Sequence, residues 1–70
     1  MPPRRYEGLT PREREVLELV AQGFTDKEIA RKLGRDYITV RDQSQAAVRR
    51  LGARNRAHAV ALFVKPWDWE

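Results

Sequence analysis

Apolar residues recur at helical spacing in four separate stretches of the chain, and each stretch opens on a side chain suited to capping a helix. Thr10, Pro11 and Glu13 have the composition of a capping box with proline at the first helical position, where its missing N–H costs nothing. Val16, Leu17 and Val20 then share a face, with Leu9 placed as a staple and Gly23 as the stop. Thr25 and Glu28 open a second helix in the same way, with Ile29, Ala30 and Leu33 as its apolar face. Gly34 ends it, supplying the left-handed backbone that a sharp turn needs. Asp36 is positioned to cap a third helix from about Tyr37 to Leu51. Val40, Ala47, Val48 and Leu51 lie on one side of it, and Arg41, Asp42 and Gln45 on another. After Gly52, Asn55 is placed to cap a fourth helix from Arg56 to about Val64, carrying Val60, Phe63 and Val64, until Pro66 forbids continuation. The pattern predicts an all-α domain of four helices with no strand and no internal repeat. Within residues 25–51 two short helices flank a glycine turn, and the second is basic; that arrangement is a helix-turn-helix.

Charge sharpens this picture. The net charge is +4 and the sequence pI about 10.1, in the range of nucleic-acid-binding domains. Between Lys27 and Arg56 the bases Lys27, Arg31, Lys32, Arg35, Arg41, Arg49, Arg50, Arg54 and Arg56 face only Glu28, Asp36 and Asp42. Across the first 26 residues, by contrast, Arg4, Arg5, Arg12 and Arg14 are outnumbered by Glu7, Glu13, Glu15, Glu18 and Asp26. A solvated surface explains a mild excess of base. Clustering over the helix-turn-helix favours a polyanion partner.

With 70 residues the chain holds one small domain, read as a flexible basic arm at 1–8, the helix-turn-helix domain at 9–64 and an aromatic tail at 65–70. A core of this size rarely supplies more than roughly 3 to 5 kcal/mol. Cysteine is absent, so disulfides, thiol nucleophiles and thiolate metal sites are excluded. No apolar run approaches a membrane span, and a soluble, cytoplasmic protein is expected. His58 is the only histidine and has no carboxylate cluster beside it, so a surface or interface histidine is a better reading than a metal ligand or general base. Glu13 and Glu15 sit in a first turn, where the helix dipole favours carboxylates without any acid–base role. Neither enzyme activity nor a cofactor is expected. Trp67 and Trp69 can pack back on the helices or dock on a partner.

Several segments match one family in order and spacing. LTPREREVLELVAQGFTDKEIARKLG at 9–34, Thr39 and Val40, RRL at 49–51 and RNRAHAV at 54–60 closely resemble the LuxR/FixJ-type (GerE-like) DNA-binding domain of bacterial transcription regulators. Region 4 of bacterial sigma factors has a similar opening but usually lacks the RNRAHAV-like fourth helix. The resemblance covers roughly residues 9–64. It implies a four-helix LuxR-type helix-turn-helix domain with the third helix in the major groove and the fourth commonly forming a dimer contact. By position, it implies base contacts from Arg41, Asp42 and Gln45, with Thr39 and nearby bases directed at phosphates. The chemistry of the side chains agrees. Arg41 can donate twice to guanine, Gln45 can pair with adenine, and Asp42 can accept from cytosine N4. An Arg41–Asp42 surface pair is the bland alternative. Lys27, Arg31, Arg50 and Arg54 are phosphate candidates whose alternative is simple surface solubility.

The chain departs from the family at several points. Members often have Lys at position 41, His at 43, and larger apolar residues where Ser44 and Ala47 stand. Small side chains there leave room for Phe24, Phe63 or a tail Trp to fill. Tyr37 and Ile38 occupy commonly polar positions and can contact thymine methyl groups or a protein partner, or simply pack. On the fourth helix Ala57, Val60, Ala61 and Val64 form a seam at i, i+3, i+4 and i+7, read as a homodimer interface, while Leu62 and Phe63 can face the core. The leading expectation is a stand-alone regulator that binds double-stranded DNA as a dimer, because no receiver or ligand-sensing domain fits in this length. The alternative is a helix-turn-helix interaction module engaging RNA polymerase, a sigma factor or another regulator, with DNA binding secondary or lost.

Overall fold

A computed structural model of the chain describes residues 8–64. The basic arm before Gly8 and the tail with Trp67 and Trp69 lie outside the described residues. Four helices follow in order, α1 (Pro11–Ala21), α2 (Asp26–Leu33), α3 (Tyr37–Arg50) and α4 (Arg56–Val64), and no strand occurs among the described residues.

Local chemistry accounts for the helix limits. In α1 the Thr10 hydroxyl accepts from the Glu13 amide at 3.1 Å while the Glu13 carboxylate accepts from the Thr10 amide at 3.1 Å. Thr25 and Glu28 form the same reciprocal pair at the start of α2, at 3.2 and 2.8 Å. Each box satisfies two amides that a helix start leaves orphaned. Gly34 terminates α2 at φ +67°, and a Cβ added there meets nothing within 4 Å, so backbone conformation alone selects glycine at the turn.

The third and fourth helices start differently. Asp36 occupies the N-cap position of α3, as its sequence placement suggested, but its side chain makes no capping hydrogen bond. At α4 the Asn55 side chain accepts from the His58 amide at 2.8 Å, and His58 Nδ1 accepts from the Arg54 amide at 3.0 Å. His58 thus accepts one residue further back than the glutamates of the first two boxes, from the amide before the cap and not from the cap's own, which gives the single histidine a structural role.

Two apolar clusters hold the helices together. One contains Leu9, Leu17, Ala47, Leu51 and Ala59, and the other Val16, Ile29, Ala30 and Val40; Val20 packs against both. Leu9 is buried against α3 and α4 through the first cluster, and the N4 position a staple would use holds Arg14. Phe63 and Leu62 pack on the first cluster, to which Ala47 belongs, as expected of residues facing the core. Phe24 goes elsewhere: it joins the second cluster, and Lys32 Nζ stands 4.9 Å from the centre of its ring. In α4 the fully buried residue is Ala59, not singled out from the sequence, and Val60 is half-buried against the first cluster instead of lying freely on an outer seam.

Ser44 is fully buried beneath α3, and its hydroxyl has no hydrogen-bond partner. An unsatisfied buried hydroxyl costs about 1 to 3 kcal/mol, and alanine is the better helix former. Ser44→Ala is therefore expected to raise the melting temperature by several degrees, about 4 to 8 °C per kcal/mol for a domain this small. Thermal denaturation followed by circular dichroism checks it; a lowered melting point would mean that the hydroxyl has a partner in solution.

Candidate nucleic-acid interface

The long helix α3 divides cleanly into two sides. Val40, Ser44 and Ala47 point into the domain, followed by Leu51 at the C-cap, all of them buried. Ile38, Arg41, Asp42, Gln45 and Arg49 are all exposed at i, i+3, i+4, i+7 and i+11, and a rotation of about 100° per residue gathers them on the opposite side. The inward side is short and small, so α3 seats closely on the helices below and presents its outer side as a ridge.

Arg41, Asp42 and Gln45, singled out from the sequence, are thus brought together on this ridge. The Arg41–Asp42 ion pair is a loose one: the nitrogen–oxygen distance is 3.9 Å and the side chains are 44% and 64% exposed. Pairs of this kind contribute at most a fraction of a kcal/mol. Arg41 remains able to donate to a base edge, and Asp42 to accept from one. Arg49 extends the same ridge by one turn and forms no ion pair among the described residues. It was not among the residues singled out from the sequence, although its i+4 spacing from Gln45 was visible in the chain.

The phosphate candidates separate into two groups. Lys27, Arg31, Thr39 and Arg54 are exposed. The side chains of Lys27, Arg31 and Arg54 form no ion pair among the described residues, leaving three cations for an anionic partner. Arg50 is exposed as well but paired: its Nε lies 2.9 and 3.0 Å from the two oxygens of the buried Glu13 side chain. Glu13 therefore caps α1 and ties it to the end of α3 with one carboxylate, more than the favourable dipole position ascribed to it. Two further bases of the central cluster are also spent on the fold. Arg35 pairs with Glu15 and donates to Gln43 at 3.1 Å, joining the α2–α3 turn to α1 and α3. Arg56 pairs with Asp26 at 2.9 Å, fastening α4 to the start of α2. Arg50 and Arg35 tie α3 and the turn before it to α1, Arg56 ties α4 to α2, and the three pairs partly neutralise the basic excess of the central segment.

No group of His, Cys, Asp and Glu among the described residues is arranged to hold a metal ion, and no described helix is long and apolar enough to cross a membrane.

Four helices with α2 and α3 around a left-handed glycine, and a polar ridge along α3, define a helix-turn-helix domain. The chain belongs to the LuxR family of bacterial regulatory proteins: the family model described as GerE matches residues 7–63. The family is one of transcription regulators and not of enzymes. Among its relatives is the transcriptional activator protein BjaR1 of Bradyrhizobium diazoefficiens, 46% identical over 57 residues, which are 81% of this chain and 24% of BjaR1. The transcriptional regulatory protein RcsB of Escherichia coli K12 is 47% identical over 47 residues, 67% of this chain and 22% of RcsB, and RcsB of Salmonella typhimurium matches to the same extent. The chain thus spans about a quarter of the length of these curated relatives. No solved structure matches it.

Proposed function

We propose that this domain binds duplex DNA as the reading unit of a bacterial transcription regulator, with α3 in the major groove. The observation that carries the proposal is the α3 ridge, where Arg41, Asp42 and Gln45 stand exposed together without a strong intramolecular partner. Arg41 matches guanine O6 and N7, Gln45 matches adenine N6 and N7, and Asp42 accepts from cytosine N4. Lys27, Arg31 and Arg54, with the Thr39 hydroxyl, contact phosphates on either side of the groove. Arg49 joins them from the end of the ridge. Arg50 stays with Glu13 and contributes indirectly, by holding α3 in place. Such a regulator works in the cytoplasm, where the chromosome lies.

The paired form of the domain uses α4. Ala57, Ala61 and Val64 are exposed along one line, with Val60 at their inner edge. Small side chains allow two copies to approach closely, and a two-fold pair sets the recognition helices about 34 Å apart, matching half-sites about ten base pairs apart.

Selection from a library of randomised duplexes tests the reading. The expected result is enrichment of a two-fold symmetric site. On that site Arg41→Ala loses about 1 to 3 kcal/mol and relaxes preference at one base position. Arg31→Ala weakens all sequences alike. Identical behaviour of the two variants across sequences would refute the division into base and phosphate contacts. The second reading, an interaction module for RNA polymerase, a sigma factor or another regulator, draws on the exposure of Tyr37 and Ile38, at 42% and 50%. It is favoured if no duplex is enriched.

A further inference from the structure

Ile38 is the one apolar residue on the outer ridge of α3. It is half exposed, lies in the first turn of the helix, and has Arg41 and Asp42 as its i+3 and i+4 neighbours. Nothing in the fold requires it. Neither apolar cluster includes it, and a β-branched residue gives a helix no advantage over the polar alternatives. Tyr37, equally conspicuous by exposure, is about 100° away around the helix and lines an open cleft of about 530 Å³ with Val20, Phe24 and Lys27. The two residues therefore do not form a common apolar patch.

That separation bears on the partner. A protein-docking surface needs a contiguous apolar centre, and Ile38 stands singly among charged and polar side chains. The floor of the major groove is likewise a polar surface with isolated apolar points, and those points are the C5-methyl groups of thymine. Residues at the N-terminal end of a recognition helix are the ones that approach base edges most closely. We propose that Ile38 reads a thymine methyl group, one helical turn before the bases contacted by Arg41 and Asp42. The proposal rests on the DNA-binding reading above and adds a specificity residue of different chemistry to it: an apolar contact where the others are hydrogen bonds.

The test removes the methyl group alone. In the duplex selected from the randomised library, each thymine is replaced in turn by uracil, which keeps every hydrogen-bonding group and lacks only the methyl. One thymine per half-site is expected to lose about three- to five-fold in affinity on this replacement, the worth of one buried methyl-sized group. In Ile38→Ala the same replacement should have no effect, because the contact is already gone; a double-mutant cycle isolates the coupling. Ile38→Val should keep part of it. The melting temperature of Ile38→Ala should match that of the parent, as the residue lies outside both apolar clusters. If the protein binds its selected duplex with strong salt dependence but no thymine responds to uracil, the DNA-binding reading stands and Ile38 has no such role. A uracil effect of undiminished size in Ile38→Ala overturns the assignment equally. If no duplex is bound at all, both readings fall together.

Discussion

Raising monovalent salt fourfold, from about 50 to about 200 mM, is expected to lower the affinity of this domain for duplex DNA by roughly two to three orders of magnitude. Each phosphate neutralised releases condensed counterions and contributes about −0.9 to the slope of log K against log salt, and about four to six phosphates per domain give a slope of roughly −4 to −5. Lys27, Arg31, Arg49 and Arg54 supply the cations, since each is exposed and free of ion pairs among the described residues. The number of bases between Lys27 and Arg56 would suggest a steeper response. Arg35, Arg50 and Arg56 are, however, held by Glu15, Glu13 and Asp26 and release few counterions on binding. Fluorescence anisotropy on one labelled duplex over a series of salt concentrations measures the slope directly. A nearly flat response would sink the DNA-binding reading.

Leu17→Ala is expected to leave the domain largely unfolded at room temperature. Leu17 is fully buried in the cluster that joins α1 to α3 and α4. Truncating a buried leucine costs about 2 to 5 kcal/mol, because the transfer energy of the lost carbons is compounded by an incompletely closed cavity. A core in a chain this short supplies roughly 3 to 5 kcal/mol in all, so a single truncation removes most of the margin. The far-ultraviolet circular dichroism of the variant should show loss of helical signal at 25 °C, recovered in part by cooling or by saturating DNA, which binds only the folded form. A variant melting within a few degrees of the parent would show that the cavity collapses, or that stability comes from elsewhere, such as pairing through α4.

The three internal ion pairs divide unequally between stability and geometry. Glu13 is the most consequential carboxylate, since its side chain is nearly buried and serves both the Thr10 amide and the Arg50 guanidinium. Glu15 is 52% exposed, and its pair with Arg35 adds little energy but anchors the turn from which α3 starts. Placement of α3 matters to recognition because base contacts tolerate little displacement, so the Arg50–Glu13 pair bears on the ridge without touching a ligand.

The extent of each helix was legible in the chain because the signals are local. Thr10 with Glu13, Thr25 with Glu28, and the left-handed glycine at 34 act within one turn, and the structure bears out all three. The outer and inner sides of α3 were equally legible, since both follow from helical periodicity applied to Val40 and Ala47 against Arg41 and Gln45. His58 as a partner for the Arg54 amide was not foreseen, although it lies only four residues away; the bond reaches the residue before the cap, outside the spacing of a capping box. What tertiary structure alone decided is which charges meet. Arg50 and Glu13 are 37 residues apart, Arg56 and Asp26 are 30 apart, and no periodicity relates them. Only the packing of α1 against α3 and α4, and of α2 against α1 and α3, brings each pair within reach, and it thereby determines which arginines remain outside for a polyanion. Full burial of Ala59, and half-burial of Val60 where an outer seam was expected, have the same origin. A helix pattern fixes angular spacing but not its absolute rotation, and that rotation is set by the side chains of Leu9, Leu17 and Leu51 on which α4 comes to rest.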